Sequence, residues 1–257
     1  MFFSRFLVTL AGLLLLSSVA QAEKLTIAAA SDLKFALDEI SIPFKQAHPG
    51  DTLDIVYGSS GKFSTQIQQG APFDVFFSAD IAFPRALAAQ GFAASAVQPY
   101  ARGRLVLWSA RRDARQLTLQ SLTDTKITRI AIANPQHAPY GQRAEEALRA
   151  SGLWEKVSAK LVYGENIAQT AQFVQSGNAQ VGIIALSLAL SPALSAQGGY
   201  FLIPDNLHAP LEQGFILTKR AANNALAHQF ADYLRSPAAR AVLHRYGFNL
   251  PGERAGK

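Results

Sequence analysis

Short apolar runs alternate with amphipathic stretches along most of the chain. One stretch carries apolar residues at the helical spacing Leu33, Leu37, Ile40 and Phe44. Strands that alternate with helices in this way predict a mostly parallel α/β architecture. The runs that read as strands are Leu25–Ala30, Leu53–Tyr57, Asp74–Ser78, Leu105–Trp108, Ile130–Ala133, Val181–Ala185 and Gln213–Thr218.

A change of pattern near residues 100–104 predicts a division into two lobes. The run Gln213–Thr218 reads as a strand that leads back toward the first lobe, and alanine-rich helices follow it. We therefore assign residues 23–102 together with about 219–257 to lobe I, and about 103–218 to lobe II.

The first 22 residues predict an export signal. Arg5 provides a positive start, Phe6–Leu16 form an apolar core, and residues 20–22 match a small-x-small cleavage site. The apolar core is too short for a membrane span, so we expect cleavage after Ala22 and a soluble mature protein.

Composition narrows the function classes. The chain has no cysteine, which excludes disulfides, thiolate metal sites and a cysteine nucleophile. A formal net charge of +6 suits an anionic ligand. The basic residues are scattered, however, and no basic stripe with interleaved aromatic residues exists. The pattern therefore argues against nucleic-acid binding.

Two serine-containing turns are the most informative feature. Residues 28–33 and 57–62 each follow a predicted strand and open a predicted helix. Such junctions leave backbone N–H groups unpaired at the positive end of a helix dipole. Because neighbouring parallel strands end at one crevice, Ser31 and Ser60 would together form a pocket for a small anion. Ordinary helix capping by each serine is the alternative.

Two charged residues in these turns are open to two interpretations each. Asp32 either complements the helix dipole from solvent or accepts a proton from a protonated ligand such as hydrogen phosphate. Lys62 either pairs with an anion or lies on a solvated helix face.

Two later strand-to-helix junctions add candidates from lobe II. In the first, Tyr140 either points its hydroxyl toward the crevice or packs beneath the loop, and His137 is a candidate base or metal ligand. No HxH or HxxxH spacing exists among the histidines, so a metal site has little support. In the second junction the N–H of Ile167 is a candidate donor, and Glu165 and Asn166 read as helix caps.

Two other function classes fit less well. An exported hydrolase would use Ser31 or Ser60 as its nucleophile and His137 as its base, but no G-x-S-x-G elbow surrounds either serine. A ferric-ion receptor would need a tyrosine pair or histidine cluster that the first-lobe turns lack.

An ordered set of motifs resembles the periplasmic molybdate-binding proteins. The set runs through nearly the whole chain after the leader. Its members are Ala28–Ser31, Gly58–Lys62, Gly70–Phe76, Ser78–Asp80, Ala133–Pro135, Ala138–Gly141, Gly164–Gln169, Gly182–Ser187 and Arg245–Phe248.

This resemblance implies a two-lobed, type II-like binding-protein fold with the ligand in the cleft. It implies a periplasmic, monomeric receptor that binds molybdate or tungstate, uses no cofactor and no bare metal cation, and delivers the oxyanion to the membrane permease of an ABC importer. Ser31 and Ser60 would be first-lobe ligands, with Ser59 as a neighbour or substitute. Tyr140 and the Ile167 N–H would contact the anion from lobe II. Sulfate or phosphate is the alternative oxyanion.

One position departs from part of the family. Some relatives have a ligand tyrosine where this chain has Ala185, and other relatives carry it in the Ala-Pro-Tyr-Gly setting found here at Tyr140. The resemblance therefore implies that Tyr140 supplies the hydroxyl.

Overall fold

A computed structural model describes residues 22–111 and 114–252. The predicted export signal lies outside the described residues, except for Ala22. The strands are β1 (Lys24–Ala30), β2 (Thr52–Gly58), β3 (Val75–Ser78), β4 (Gln98–Gly103), β5 (Leu105–Ser109), β6 (Ile130–Ala133), β7 (Leu161–Gly164), β8 (Val181–Ala185), β9 (Gly199–Leu202) and β10 (Leu211–Leu217).

Ten α-helices cover or connect these strands in the described part of the chain. They are α1 (Lys34–Ala47), α2 (Ser60–Gln68), α3 (Ala82–Ala89), α4 (Pro139–Ala150), α5 (Trp154–Val157), α6 (Ile167–Gln175), α7 (Leu186–Ala189), α8 (Pro192–Ser195), α9 (Ala225–Tyr233) and α10 (Pro237–Arg245). A 3-10 turn, Ser31–Leu33, joins β1 to α1.

The strands form two five-stranded sheets of similar design. The first has the order β2-β1-β3-β10-β4, and the second has the order β7-β6-β8-β5-β9. In each sheet the first three strands run parallel and the last two pair antiparallel. The prediction of a mostly parallel architecture is therefore wrong for half of the strand pairings, because the strands next to the lobe crossings run antiparallel.

The chain passes between the sheets at two places. It leaves the first sheet after Gly103 at the end of β4 and enters the second at Leu105. It returns between Leu202 and Leu211, because β10 pairs with β3 and β4 of the first sheet. The predicted return near residue 218 is thus too late, since the apolar run of β10 already belongs to lobe I.

Each sheet has its own buried core. Trp108 of β5 is fully buried in the core of the second sheet. In the first sheet, Phe77 of β3 packs against Phe230 of α9, with ring centroids 6.4 Å apart in a T-shaped arrangement. Among the described residues, no helix is long and apolar enough to cross a membrane.

Candidate functional site

A small cavity lies where the two lobes meet. Its volume is about 10 Å³, room for about one water molecule. Its walls are the carboxyl ends of the first two strands, the turns that follow them, and the starts of α4 and α6. The lining residues are Ala30, Ser31, Asp32, Gly58, Ser59, Ser60, Ala79, Ala138, Pro139, Tyr140 and Ile167. All five predicted ligand residues are therefore in one place, and no lysine or arginine of the described residues lines the cavity.

Ser60 begins α2 and has a fully buried hydroxyl. Its Oγ accepts a hydrogen bond from the backbone N–H of Ala79 at 3.0 Å. A hydroxyl that accepts in this way still has its proton to donate. The capping interpretation of this serine is wrong, because Ser59 occupies the N-cap position and its side chain makes no capping bond.

Ser31 lies in the 3-10 turn and contacts the opposite lobe. Its hydroxyl donates to Asn166 Oδ1 at 3.1 Å and accepts from the Ala168 N–H at 3.2 Å. It does not cap the following helix, whose N-cap is Leu33. Asn166 Oδ1 also accepts from the N–H groups of Ala168 and Gln169, so the interpretation of Asn166 as a cap is confirmed. Because this oxygen already has two donors, the Ser31 proton can turn to another acceptor at small cost.

Ser59 faces a histidine across the cleft. Its Oγ lies 3.0 Å from His137 Nδ1. His137 Nε2 lies 3.7 Å from Glu165 Oε2, beyond normal hydrogen-bond reach. Burial lowers the pKa of His137, although nearby Glu165 opposes this shift. His137 therefore contacts neither of the serines that the hydrolase hypothesis names as nucleophiles.

Tyr140 of α4 is buried and its hydroxyl meets Asp32. Tyr140 Oη donates to Asp32 Oδ2 at 3.1 Å, and Gln213 Nε2 donates to the same carboxylate oxygen at 2.7 Å. Gln213 Nε2 also lies 3.2 Å from Tyr140 Oη, and its Oε1 accepts from Tyr100 at 2.6 Å. A β-bulge between Gln213 and Gly214 accompanies this inward-pointing side chain.

Asp32 is 1% exposed, so the interpretation that it faces solvent is wrong. Burial raises the pKa of its carboxyl group to about 7, and hydrogen bonds from Gln213 and Tyr140 partly offset that rise. Its second oxygen, Oδ1, is buried and has no hydrogen-bond partner. The site thus combines neutral donors with one carboxyl group that ionises near neutral pH.

Polar contacts hold the lobes together around the cavity. The Gly61 N–H donates to the His137 carbonyl at 3.0 Å. Lys62 lies on an exposed face of α2, as one of its two interpretations has it, and does not line the cavity. It pairs with Glu165 across the cleft, so Glu165 is not a cap. Arg143 of α4 pairs with Asp80 of lobe I at 3.1 Å. These contacts describe a closed arrangement of the lobes.

The remaining candidates fall at the edges of the site. Ile167 is the first residue of α6 and lines the cavity, so its N–H has no partner within the helix. Ala185 ends β8, is fully buried and does not line the cavity. Among residues 22–111 and 114–252, no group of three or more histidine, aspartate or glutamate side chains could hold a metal ion.

Three residues of the site were not found from the sequence. Gln213 orients Asp32 and Tyr140, the Ala79 N–H orients Ser60, and the Ser187 hydroxyl donates to the Asp32 carbonyl at 2.7 Å. A glutamine at the start of an otherwise apolar strand is a signal that could have indicated Gln213. The other two contacts depend on tertiary placement alone.

The sequence is similar to known proteins over most of its length. Residues 25–249 match the family model described as bacterial extracellular solute-binding protein. The chain is 36% identical over 230 residues to the molybdate-binding protein ModA of Rhodobacter capsulatus, covering 89% of each chain. It is 36% identical over 248 residues to ModA of Azotobacter vinelandii, covering 96% of this chain and 98% of the relative.

A solved structure agrees in fold. The periplasmic molybdate-binding protein of Azotobacter vinelandii superposes with a TM-score of 0.83 at 34% sequence identity. The match covers 88% of this chain and 99% of that chain. The two-lobed α/β architecture with a cleft between the lobes is therefore common to both.

Proposed function

Because the chain belongs to the ModA family of bacterial extracellular solute-binding proteins, we propose that it binds molybdate or tungstate between its lobes and delivers the oxyanion to an ABC importer. Like its relatives, the chain is a receptor and not an enzyme. The leader, cleaved after Ala22, exports it to the periplasm, where it acts as a monomer.

The observation that supports the proposal is a small cavity between the lobes, where neutral hydrogen-bond donors from both lobes meet. The anion is held by the hydroxyls of Ser31, Ser60 and Tyr140 and by the N–H of Ile167, all of which line the cavity. Helix-end N–H groups supply partial positive charge, and exclusion of water strengthens each bond. A dianion can therefore bind without a lysine or arginine in the cavity.

Ser60 is the principal first-lobe ligand in this proposal. Its hydroxyl proton is free because the Ala79 N–H uses only a lone pair. The Ser59 hydroxyl instead contacts His137, so Ser59 supports closure of the cleft. Tyr140 supplies the hydroxyl that some relatives place at the position of Ala185.

The test is isothermal titration of the mature protein with molybdate, tungstate, sulfate and phosphate. We expect tight binding of the first two. A Ser60→Ala variant should bind molybdate about 10- to 150-fold more weakly, because a hydrogen bond to a charged group contributes about 1.5–3 kcal/mol. Ser64→Ala, on the same helix but outside the cavity, is the matched control.

Two outcomes would contradict the proposal. Strong phosphate binding without molybdate heat would make the protein a phosphate receptor, with Asp32 accepting the ligand's proton. An unchanged molybdate affinity in the folded Ser60→Ala variant would remove Ser60 from the site; circular dichroism checks that the variant is folded.

A further inference from the structure

The Asp32 carboxyl group has no counter-charge in the anion cavity. It lines the cavity beside Ser31, and its Oδ1 atom is buried without a hydrogen-bond partner. Its Oδ2 atom accepts from the side chains of Gln213 and Tyr140, and the nearby backbone N–H groups of Asp32 and Leu33 also favour the charged form. An ionised carboxylate in this position would face a bound dianion across a few ångströms of low-dielectric space, where like charges repel strongly.

The groups that face Asp32 do not supply positive charge. The titratable ones are Tyr140 of α4 and, through Gln213, Tyr100 of β4. Burial raises the pKa of both phenols well above the usual value, so both are neutral. The start of α6 contributes the apolar Ile167, and α7 contributes the hydroxyl of Ser187, which bonds the Asp32 backbone carbonyl. Among the described residues, no cationic side chain forms an ion pair with Asp32.

The hydrogen bonds of Tyr140 also disfavour an ionised Asp32 beside a bound oxyanion. A phenol has one proton, and Tyr140 donates it to Asp32 Oδ2. If Tyr140 gives that proton to an oxyanion, an ionised Asp32 loses one of its stabilising donors while an anion approaches. A protonated Asp32 instead has its own proton to donate, to the anion or to Tyr140 Oη, and needs fewer donors.

We propose that Asp32 takes up one proton from solvent when the oxyanion binds, so that a neutral carboxylic acid, and not a carboxylate, lines the occupied site. This inference rests on the proposed oxyanion site. The only bond changes are those of proton transfer: an O–H bond forms on the carboxylate as a bond to hydrogen breaks in hydronium or buffer, and both changes are reversed when the anion leaves. Asp32 thus makes the affinity depend on pH and is a specificity-determining residue for fully deprotonated oxyanions.

The pH dependence has a definite sign. Below the pKa of Asp32 in the free protein the group is already protonated, so binding takes up no proton. Burial places that pKa at about 7. Above it, each unit of pH should lower the molybdate affinity about tenfold, since one proton must be supplied. His137, whose pKa is lowered, is neutral on this alkaline arm and does not contribute.

The experiment is isothermal titration with molybdate at about pH 8.5 in buffers of different ionisation enthalpy. The slope of the observed enthalpy against the buffer ionisation enthalpy counts the protons taken up. We expect a count near one for the wild-type protein and near zero for Asp32→Asn. The affinity of that variant should not change between about pH 6 and pH 8.5. Asp54→Asn removes an exposed carboxylate paired with Lys24, and this control should behave like the wild type.

Each contrary outcome has a separate meaning. Molybdate binding by the wild type with a proton count near zero overturns the inference and leaves the proposed function intact. The same proton count in Asp32→Asn as in the wild type also overturns it. Absence of molybdate heat at every pH overturns the proposed function, and the inference with it. The wild-type count decides the question even if Asp32→Asn does not fold.

Discussion

The Asp32 carboxyl group is buried, and among the described residues no cation pairs with it, so ionising it in the folded protein has a free-energy cost. Its pKa rises from 3.8 to about 7 through burial. Between these values the folded state binds more protons than the unfolded state, so stability falls as pH rises through this range. Below pH 3.8 both states are protonated and no penalty exists.

We therefore expect Asp32→Asn to stabilise the ligand-free protein at alkaline pH. Full ionisation of this group costs up to about 4 kcal/mol, from a pKa shift of this size. Urea denaturation from about pH 4 to pH 8 should show the variant gaining stability relative to the wild type as pH rises. Asp54→Asn is again the control. A stability difference that does not vary with pH would contradict a raised pKa for Asp32.

At the scale of elements, helix α6 links a cap to the anion site. Asn166 caps the helix by accepting from two backbone N–H groups at 3.0 Å each, and the same oxygen accepts the Ser31 hydroxyl. The cap therefore fixes the start of α6, where the Ile167 N–H lies. It also fixes the position of the Ser31 hydroxyl, which is predicted to bind the anion. Loss of this side chain should affect folding and binding together.

The prediction compares two asparagine caps. Asn166→Ala should reduce the free energy of unfolding by about 1 kcal/mol, the usual value of such a cap, and should also weaken molybdate binding. Asn224→Ala removes the cap of α9, which lies away from the cavity, and should reduce stability similarly without changing affinity. Urea denaturation and molybdate titration of both variants test this. Equal effects on affinity in the two variants would argue against a role for the α6 start.

The elements also explain which parts of the fold the sequence could predict. Buried parallel strands such as β1 and β6 are continuous apolar runs, and periodicity finds them. It missed β4, β7 and β9, which are edge strands whose residues include several half-buried ones. Their placement depends on pairing with distant strands, which local patterns do not record.

Part of the candidate site could likewise be predicted from local sequence, and part could not. Serines after the first two strands predict an anion pocket, because the sequence order of strand, turn and helix is local. The environment of Asp32 was not predictable, since it depends on Gln213 arriving from a strand 181 residues later. The Ser59–His137 contact likewise requires the two lobes to meet.

At the scale of the whole molecule, closure depends on backbone contact as well as ion pairs. The Lys62–Glu165 pair is exposed, and such pairs contribute little in water. The Gly61 N–H bonds the His137 carbonyl directly, which requires the first turn of α2 to approach the opposite lobe closely. A Cβ atom at residue 61 would lie 2.8 Å from that carbonyl oxygen and 3.0 Å from the His137 Cα.

Gly61→Ala should therefore hold the lobes apart without unfolding either one. Backbone atoms of His137 cannot rotate away as a flexible side chain would, so relief requires separation of the lobes. Overpacking of this kind costs about 1–3 kcal/mol, which corresponds to a roughly 5- to 150-fold weaker molybdate affinity. The unfolding midpoint of the ligand-free variant should not fall, because open lobes avoid the clash and alanine favours the helix over glycine.

Titration with molybdate and small-angle scattering with saturating molybdate measure the two effects. The variant should show a larger radius of gyration than the wild type at saturation. Gly50→Ala is the matched control, since a Cβ at residue 50 meets nothing within 4 Å and its backbone angle is unstrained. If Gly61→Ala binds and closes as the wild type does, close approach at this glycine does not limit closure, and the ion pairs around the cavity become the remaining candidates for holding the lobes together.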